Sequence, residues 1–293
     1  MSGLYITSLS GALTAAHQVQ RTQASLADTM TQLATGLRIN AAKDDPAGLI
    51  AQELLRSEIT ASNAAIKNTQ LANAMLNVAE SGMKQISNLL IEAKSLAVEA
   101  ANTGAMTPEM VEANQAQMNA ILDSIDRFSG TTNWLGKPLL DGSMSSKNGG
   151  ALFQLGPDVV SGQQVTVPLE STRTTAVGRG GGRYASLADL RSGGAASLAS
   201  NPRLADKILE SAVSQIATQR GAVGAEQKYT LDPNIAALQD TVVQLTAAKS
   251  LISDTDFAEA YSNMVRDQIL LQAGISALGL ANQNRSYAAA LLG

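Results

Sequence analysis

From Ala72 the apolar or small residues fall at 72, 76, 79, 83, 86, 90, 93, 97 and 100, in alternating steps of four and three. That spacing keeps them on one stripe of an α-helix, the heptad seam by which helices pair. Leu9 and Leu13, then Leu26, Met30, Leu33 and Leu37, keep the same rhythm ahead of it. The C-terminal third mirrors this with Leu209, Val213, Ile216 and Val223, then Ile235, Leu238, Val242 and Leu245. A last run follows through Phe257, Tyr261, Met264, Gln268, Leu271, Ile275 and Leu278. Proline is absent from 1–45, 47–107, 109–137 and 234–293, and these spans are the candidate helices. Asp232-Pro233 predicts a break, and Ser253-Asp254-Thr255-Asp256 supplies caps where a helix can restart.

The middle differs in kind. Residues 141–198 hold 11 of the 24 glycines and separate short strand-like pieces at Ala151–Leu155 and Gln164–Leu169, which predict hairpins and turns. The fold class expected is therefore mainly α. It is a long antiparallel helical rod or coiled coil with paired N- and C-terminal helices and a small β-hairpin and loop insert. The stretch after Pro46 alone would make roughly 80 Å of helix, more than a compact domain of this mass spans.

Composition narrows the chemistry. The 293 residues contain no Cys and one His, His17, which removes disulfides, Cys/His zinc sites, thiol nucleophiles and triads needing a second imidazole. Aromatics are 3% of the chain and the net charge is −4, so no basic field is present to hold nucleic acid. The first charged side chain is Arg21, which argues against a secretory signal, and no run of 18 apolar residues suggests membrane insertion. Residues 1–37 carry just Arg21 and Asp28, and 257–293 carry just Glu259, Arg266, Asp267 and Arg285. Solvated coiled coils line their flanks with charge. These termini read as covered by something, and copies of the same chain are the cheapest candidate.

Motifs that could carry chemistry have plainer readings. Asp44-Asp45, beside Asn40 and Lys43, lacks a nucleophile, a second carboxylate pair or an imidazole, and is better read as a polar joint before Pro46. Gly178-Arg179-Gly180-Gly181-Gly182-Arg183 lacks the Gly-Lys-Ser/Thr ending of a phosphate loop and reads as a flexible loop. Trp134 reads as a core anchor at a helix end. No catalytic, metal or cofactor residues are expected, and the chain is not expected to be an enzyme. Ser143, Ser145, Ser146, Ser171, Thr172, Thr174 and Thr175 fall in an insert expected to be exposed, and sugar attachment there is left open.

The segment Gly36-Leu37-Arg38-Ile39-Asn40-Ala41-Ala42-Lys43-Asp44-Asp45-Pro46-Ala47-Gly48-Leu49 resembles the joint after the first helix of bacterial flagellins. Ser262-Asn263-Met264, Gln268-Ile269-Leu270, Gln272-Ala273-Gly274 and Ala281-Asn282-Gln283 resemble the flagellin terminal helix. Gln219-Arg220-Gly221-Ala222-Val223 is similar to the opening of its last rod helix, and Phe153-Gln154-Leu155-Gly156 to a family β element. The resemblance spans about 1–155 and 205–285.

It implies a subunit that self-assembles into the flagellar filament for swimming, exported unfolded by the flagellar type III apparatus and therefore extracellular. Expected partners are many copies of itself, the filament cap, the junction protein and an export chaperone. The implied domains are an inner coiled coil of 1–44 with 255–293, a helical rod of 45–140 with 200–254, and the insert 141–199, with no outer variable domains. Arg38, Asn40, Lys43, Asp44 and Asp45 match the joint between inner and outer layers, where Arg38 and one of the aspartates are expected to reach neighbouring subunits. The terminal self-assembly seam comprises Leu9, Leu13, Leu26, Leu33, Phe257, Met264, Leu271, Ile275 and Leu278. The family surface read by the innate immune receptor falls at Glu92, Lys94 and Leu96, where Glu92 reverses one family charge and Ser95, in place of the family's acid, loses a second. The rival readings are the hook-filament junction protein, which shares the terminal helices but not the Gln-Ala-Gly and Ala-Asn-Gln signatures, and a flagellin-like surface-binding protein.

Overall fold

Prolines begin helices in this chain. Pro46, Pro108 and Pro202 each occupy a first helical turn, and Asp45, Thr107 and Asn201 ahead of them accept hydrogen bonds from the N–H groups of Gly48, Met110 and Leu204. A missing N–H costs nothing at that position, and the preceding oxygen satisfies one of the free donors. The structure is a computed structural model that describes residues 2–102, 104–179 and 186–290. The side chains at 2–10, 12, 284–286 and 288–290 lie outside that description, as do Leu9 of the expected seam and Gly180 to Arg183 of the glycine-rich loop.

The helices are α1 (Ser2–Thr35), α2 (Pro46–Ala100), α3 (Pro108–Thr131), α4 (Pro202–Glu226), α5 (Asp232–Ser253) and α6 (Phe257–Ala290). Two small antiparallel pairs join them: β1 (Asn133–Trp134) with β2 (Lys137–Pro138), and β3 (Ala151–Gln154) with β4 (Gln164–Val167). The fold is thus mainly α, with paired terminal helices and a small β element. The chain divides into two units, 60–242 and 1–59 with 243–293.

In unit 60–242 the heptad seam of α2 is the core. All nine positions from Ala72 to Ala100 on that seam are at most 2% exposed. Met118, Leu122 and Ile125 of α3 and Ala205, Leu209, Ala212 and Ile216 of α4 close over it, all fully buried. Each large aliphatic side chain so covered contributes roughly 1.5–3 kcal/mol. Trp134 packs half-buried against this core, as its position at the end of α3 led us to expect.

The insert corrects the sequence reading in two respects. Beyond the hairpin its described residues pack as loops and a 3-10 turn at Leu187–Leu190, with Leu169, Val177, Leu187, Leu190, Ala196 and Leu198 buried in the common core. Ser145, Thr172 and Thr174, expected to be exposed, are buried. Thr174 donates its backbone N–H and its hydroxyl to Asp126, and Arg191 bridges Asp123 at 2.6 Å and Asp126 at 3.1 Å, tying the insert to α3. The Asp123 carboxylate, bonded to Arg191, raises that guanidinium above its ordinary range.

The expected break at Asp232-Pro233 does not occur. The backbone stays helical through Gln227–Leu231, which forms a π turn whose closing bond runs from the Asp232 N–H to the Gln227 carbonyl. Widening the helix by one residue accommodates a proline that lacks its own N–H.

Candidate functional site

Unit 1–59 with 243–293 holds the sequence-predicted joint and the terminal helices. Helix α1 stops at Gly36, whose φ of +72° is the left-handed conformation that closes a helix C-terminus, with its N–H on the Gln32 carbonyl at 2.8 Å. The chain then pairs with the α5–α6 connection as an isolated antiparallel bridge, Leu37 opposite Asp254. Arg38 N–H donates to the Ser253 carbonyl at 2.7 Å, and Thr255 N–H donates to the Gly36 carbonyl at 3.0 Å.

Each candidate joint residue has a definable place. Arg38 donates Nη2 at 2.7 Å and Nε at 3.3 Å to the Ile252 carbonyl, so a cation sits on the C-terminal end of α5, where the helix dipole favours it. Asn40 Nδ2 donates to the Leu37 carbonyl at 2.6 Å. Asp44 Oδ2 accepts from the N–H groups of Asn40 at 3.1 Å and Ala41 at 2.8 Å, which closes the loop on itself. Asp45 Oδ1 accepts from Gly48 N–H at 2.9 Å and starts α2. Lys43 lies 3.9 Å from Asp28, both well exposed. The carboxylates are occupied by backbone donors, so the arrangement is structural in its chemistry. Among the described residues no cluster of His, Cys, Asp and Glu could hold a metal ion.

The joint also contains Ile39, Gly48, Asp254 and Asp256, which the sequence reading did not assign to it. Ile39 is 3% exposed and fits against Gly48, where any Cβ would collide with it. Asp254 is hydrogen-bonded to Ser250, and Asp256 Oδ1 accepts from Ala258 and Glu259 N–H groups to start α6. The cluster of capping residues at 253–256 was the available signal for the last two. For Ile39 the signal was an apolar residue amid polar ones.

Helices α1 and α6 pair antiparallel, with Ser25 against Asp267 and Val19 against Gly274. Of the expected seam, Leu26, Leu33, Met264, Leu271 and Leu278 are half-buried. Leu13, Phe257 and Ile275 are instead 53%, 58% and 57% exposed. Their places in the pair are taken by smaller residues such as Val19, Thr22 and Thr29 on α1 and Ala260 and Gly274 on α6. Large side chains therefore project outward: Tyr261, Ile269 and Leu280 are each more than 60% exposed.

Of the expected receptor surface, in unit 60–242, Glu92 is exposed and Lys94 lies 3.9 Å from Asp206. Leu96 is 6% exposed and belongs to the core. No helix among the described residues is long and apolar enough to cross a membrane.

A helical protein whose terminal helices pair partly through small residues and leave many of their large apolar residues facing outward has the build of a self-associating structural chain. Residues 6–145 match the family model of the bacterial flagellin N-terminal helical region, and 207–288 match that of the C-terminal helical region. The chain is 33% identical to a flagellin of Bacillus subtilis over 273 residues, covering 87% of this chain and 88% of that one. It is 27% identical to flagellin FlaB2 of Treponema pallidum, covering 92% and 93% of the two chains. It is likewise 27% identical to the flagellar filament 33 kDa core protein of Treponema phagedenis, covering 96% and 97%. The chain belongs to the bacterial flagellin family, in a short form with no large outer domain evident among the described residues.

Proposed function

We propose that this chain polymerises into the filament that drives swimming. It leaves the cell unfolded through the flagellar type III apparatus and adds beneath a distal cap, with a junction protein and an export chaperone as its other partners. The inner coiled coil of 1–44 with 255–293 is the self-assembling part, and the joint of Arg38, Asn40, Lys43, Asp44 and Asp45 holds it to the rod of 45–140 with 200–254, which carries the insert 141–199. The observation that carries this reading is the outward-facing apolar surface of the terminal helices, which bear so little charge. Such a surface is stable in water only when something covers it, and an identical chain offers the matching surface.

Seeding tests it. Purified full-length chain added to sheared filament fragments is expected to extend them as helical tubes, whereas a chain cut to residues 45–255 is not. Full-length protein that stays monomeric, or that caps the seeds without growth, would favour the junction-protein or surface-binding alternatives. Because Glu92 reverses a family charge and Leu96 is buried, weak or no activation of the innate immune receptor is also expected; a strong response from purified monomer would contradict this.

A further inference from the structure

Two stripes on α6 compete to face α1. The stripe hydrophobicity favours contains Tyr261, Gln268 and Ile275; the stripe that faces α1 replaces these with Ala260, Asp267 and Gly274. On α1 the same rotation exchanges Met30 for Thr29. The helices have thus turned against the hydrophobic gradient. Tyr261, Ile275 and Met30 stay 61%, 57% and 50% exposed, while Asp267 is 5% exposed.

Two contacts oppose that gradient. Asp267 Oδ2 accepts a hydrogen bond from Ser25 Oγ at 2.7 Å, and a Cβ added at Gly274 would lie 2.7 Å from Val19 Cγ2, so α1 rests on bare backbone there. The hydroxyls of Thr22 and Thr29 donate to the Gln18 and Ser25 carbonyls of their own helix and express no preference for a partner face. Arg266, 3.8 Å from Asp267 Oδ1, is itself 65% exposed and lies on the same helix, so this ion pair does not link α6 to α1.

We infer that Asp267, through Ser25, is the residue that fixes which face of α6 meets α1. A carboxylate is tolerated in a helix seam only where a donor meets it, and a single polar seam residue is a known way of selecting one pairing over a more apolar competitor. The consequence is that the heavier apolar stripe stays outward. Its use by other copies rests on the filament reading above; the choice of face does not.

The chain has no Cys, so introduced pairs report the choice directly. Val19→Cys with Gly274→Cys marks the observed face, and Met30→Cys with Tyr261→Cys marks the rotated one. Each pair is oxidised in full-length chain, before and after seeding, in the native, Asp267→Leu, Asp267→Asn and Ser25→Ala backgrounds. The native and Asp267→Asn chains are expected to form the first disulfide alone. Asp267→Leu, and more weakly Ser25→Ala, should move the yield several-fold toward the second and slow growth on seeds. An Asp267→Leu chain that keeps the first disulfide at native yield overturns the inference. So does loss of both disulfides, because Asp267 would then hold the pair together without choosing its face. A native chain that fails to grow on seeds would remove the filament reading and leave the disulfide comparison intact.

Discussion

Asp44 and Asp45 stand side by side in the sequence and serve different ends of one joint, the first closing the loop after α1 and the second starting α2. Replacing Asp45 with Ala leaves the Gly48 N–H without its acceptor and is expected to cost about 1 kcal/mol, the usual worth of an N-cap. Asp45→Asn keeps an oxygen there and should cost less, and denaturant melts followed by circular dichroism separate the two. In unit 60–242, Glu170 makes a comparable contact, its Oε1 accepting from the Ser146 hydroxyl at 2.6 Å and from the Ser146 N–H at 2.9 Å. These donors, led by the hydroxyl, hold the Glu170 carboxyl below its ordinary value of 4.5. A carboxyl depressed on folding adds stability that is present above its unfolded pKa and lost as pH falls through the lower folded value. The turn at Ser146–Asn148 should therefore loosen as pH drops below about 4.5. Amide exchange at Ser146 reports this, and Glu170→Gln should flatten the dependence.

At the scale of elements, the π turn resolves a phase conflict that is present in the sequence. Buried residues of α4 keep steps of four and three up to Val223, and Leu231, Ile235, Leu238 and Val242 resume them, but Val223 and Leu231 are eight residues apart. Two turns of a heptad seam span seven, so one residue is surplus, and a π turn is the way a helix absorbs one. Tyr229, 72% exposed within that turn, is the natural residue to remove. Deleting it, with Pro233 replaced by Ala so that the continuous helix holds no interior proline, should convert Gln227–Leu231 to regular α-helix with Leu231 and Leu238 still inward, shifting the melting temperature by no more than a few degrees. Deleting Ala236 instead would turn Leu238 outward and destabilise the unit by about 2 kcal/mol or more, the scale of one large aliphatic side chain uncovered. Thermal melts of the two deletions give the comparison. The same conflict explains what was legible in the chain. The α2 seam could be read residue by residue because one apolar stripe there has no competitor, and every position on it is buried. The α6 seam could not, because its heavier stripe points away from α1 and a polar contact to Ser25 decides the matter. The β1–β2 pair escaped notice because it has only two residues per strand and turns at Leu135, a non-glycine residue with φ of +51°. The joint was legible as a motif, but its partners at 252–256 lie more than 200 residues away, a pairing that local spacing cannot reveal.

For the whole molecule, the distribution of charge says which force can drive association. The terminal spans 1–37 and 257–293 carry six charged side chains between them, and Asp267 is committed to Ser25. Large outward side chains on the same helices supply apolar surface in their place. Coulomb attraction between copies through these segments would weaken as salt shortens the screening length from about 10 Å at 0.1 M to about 3 Å at 1 M. Burial of apolar surface would not, and it strengthens when an excluded salt such as sulfate raises the cost of exposing that surface. The concentration of free chain left at the end of seeded growth should therefore hardly change between 0.1 and 1 M sodium chloride, measured over the screening range just given. It should fall when sulfate replaces chloride at equal ionic strength. Sedimentation of the polymer and assay of the supernatant measure both. A free concentration that rises steeply with sodium chloride would place the driving contacts in the charged residues of unit 60–242, where Lys and Arg are more frequent, and would take the terminal helices out of the leading role.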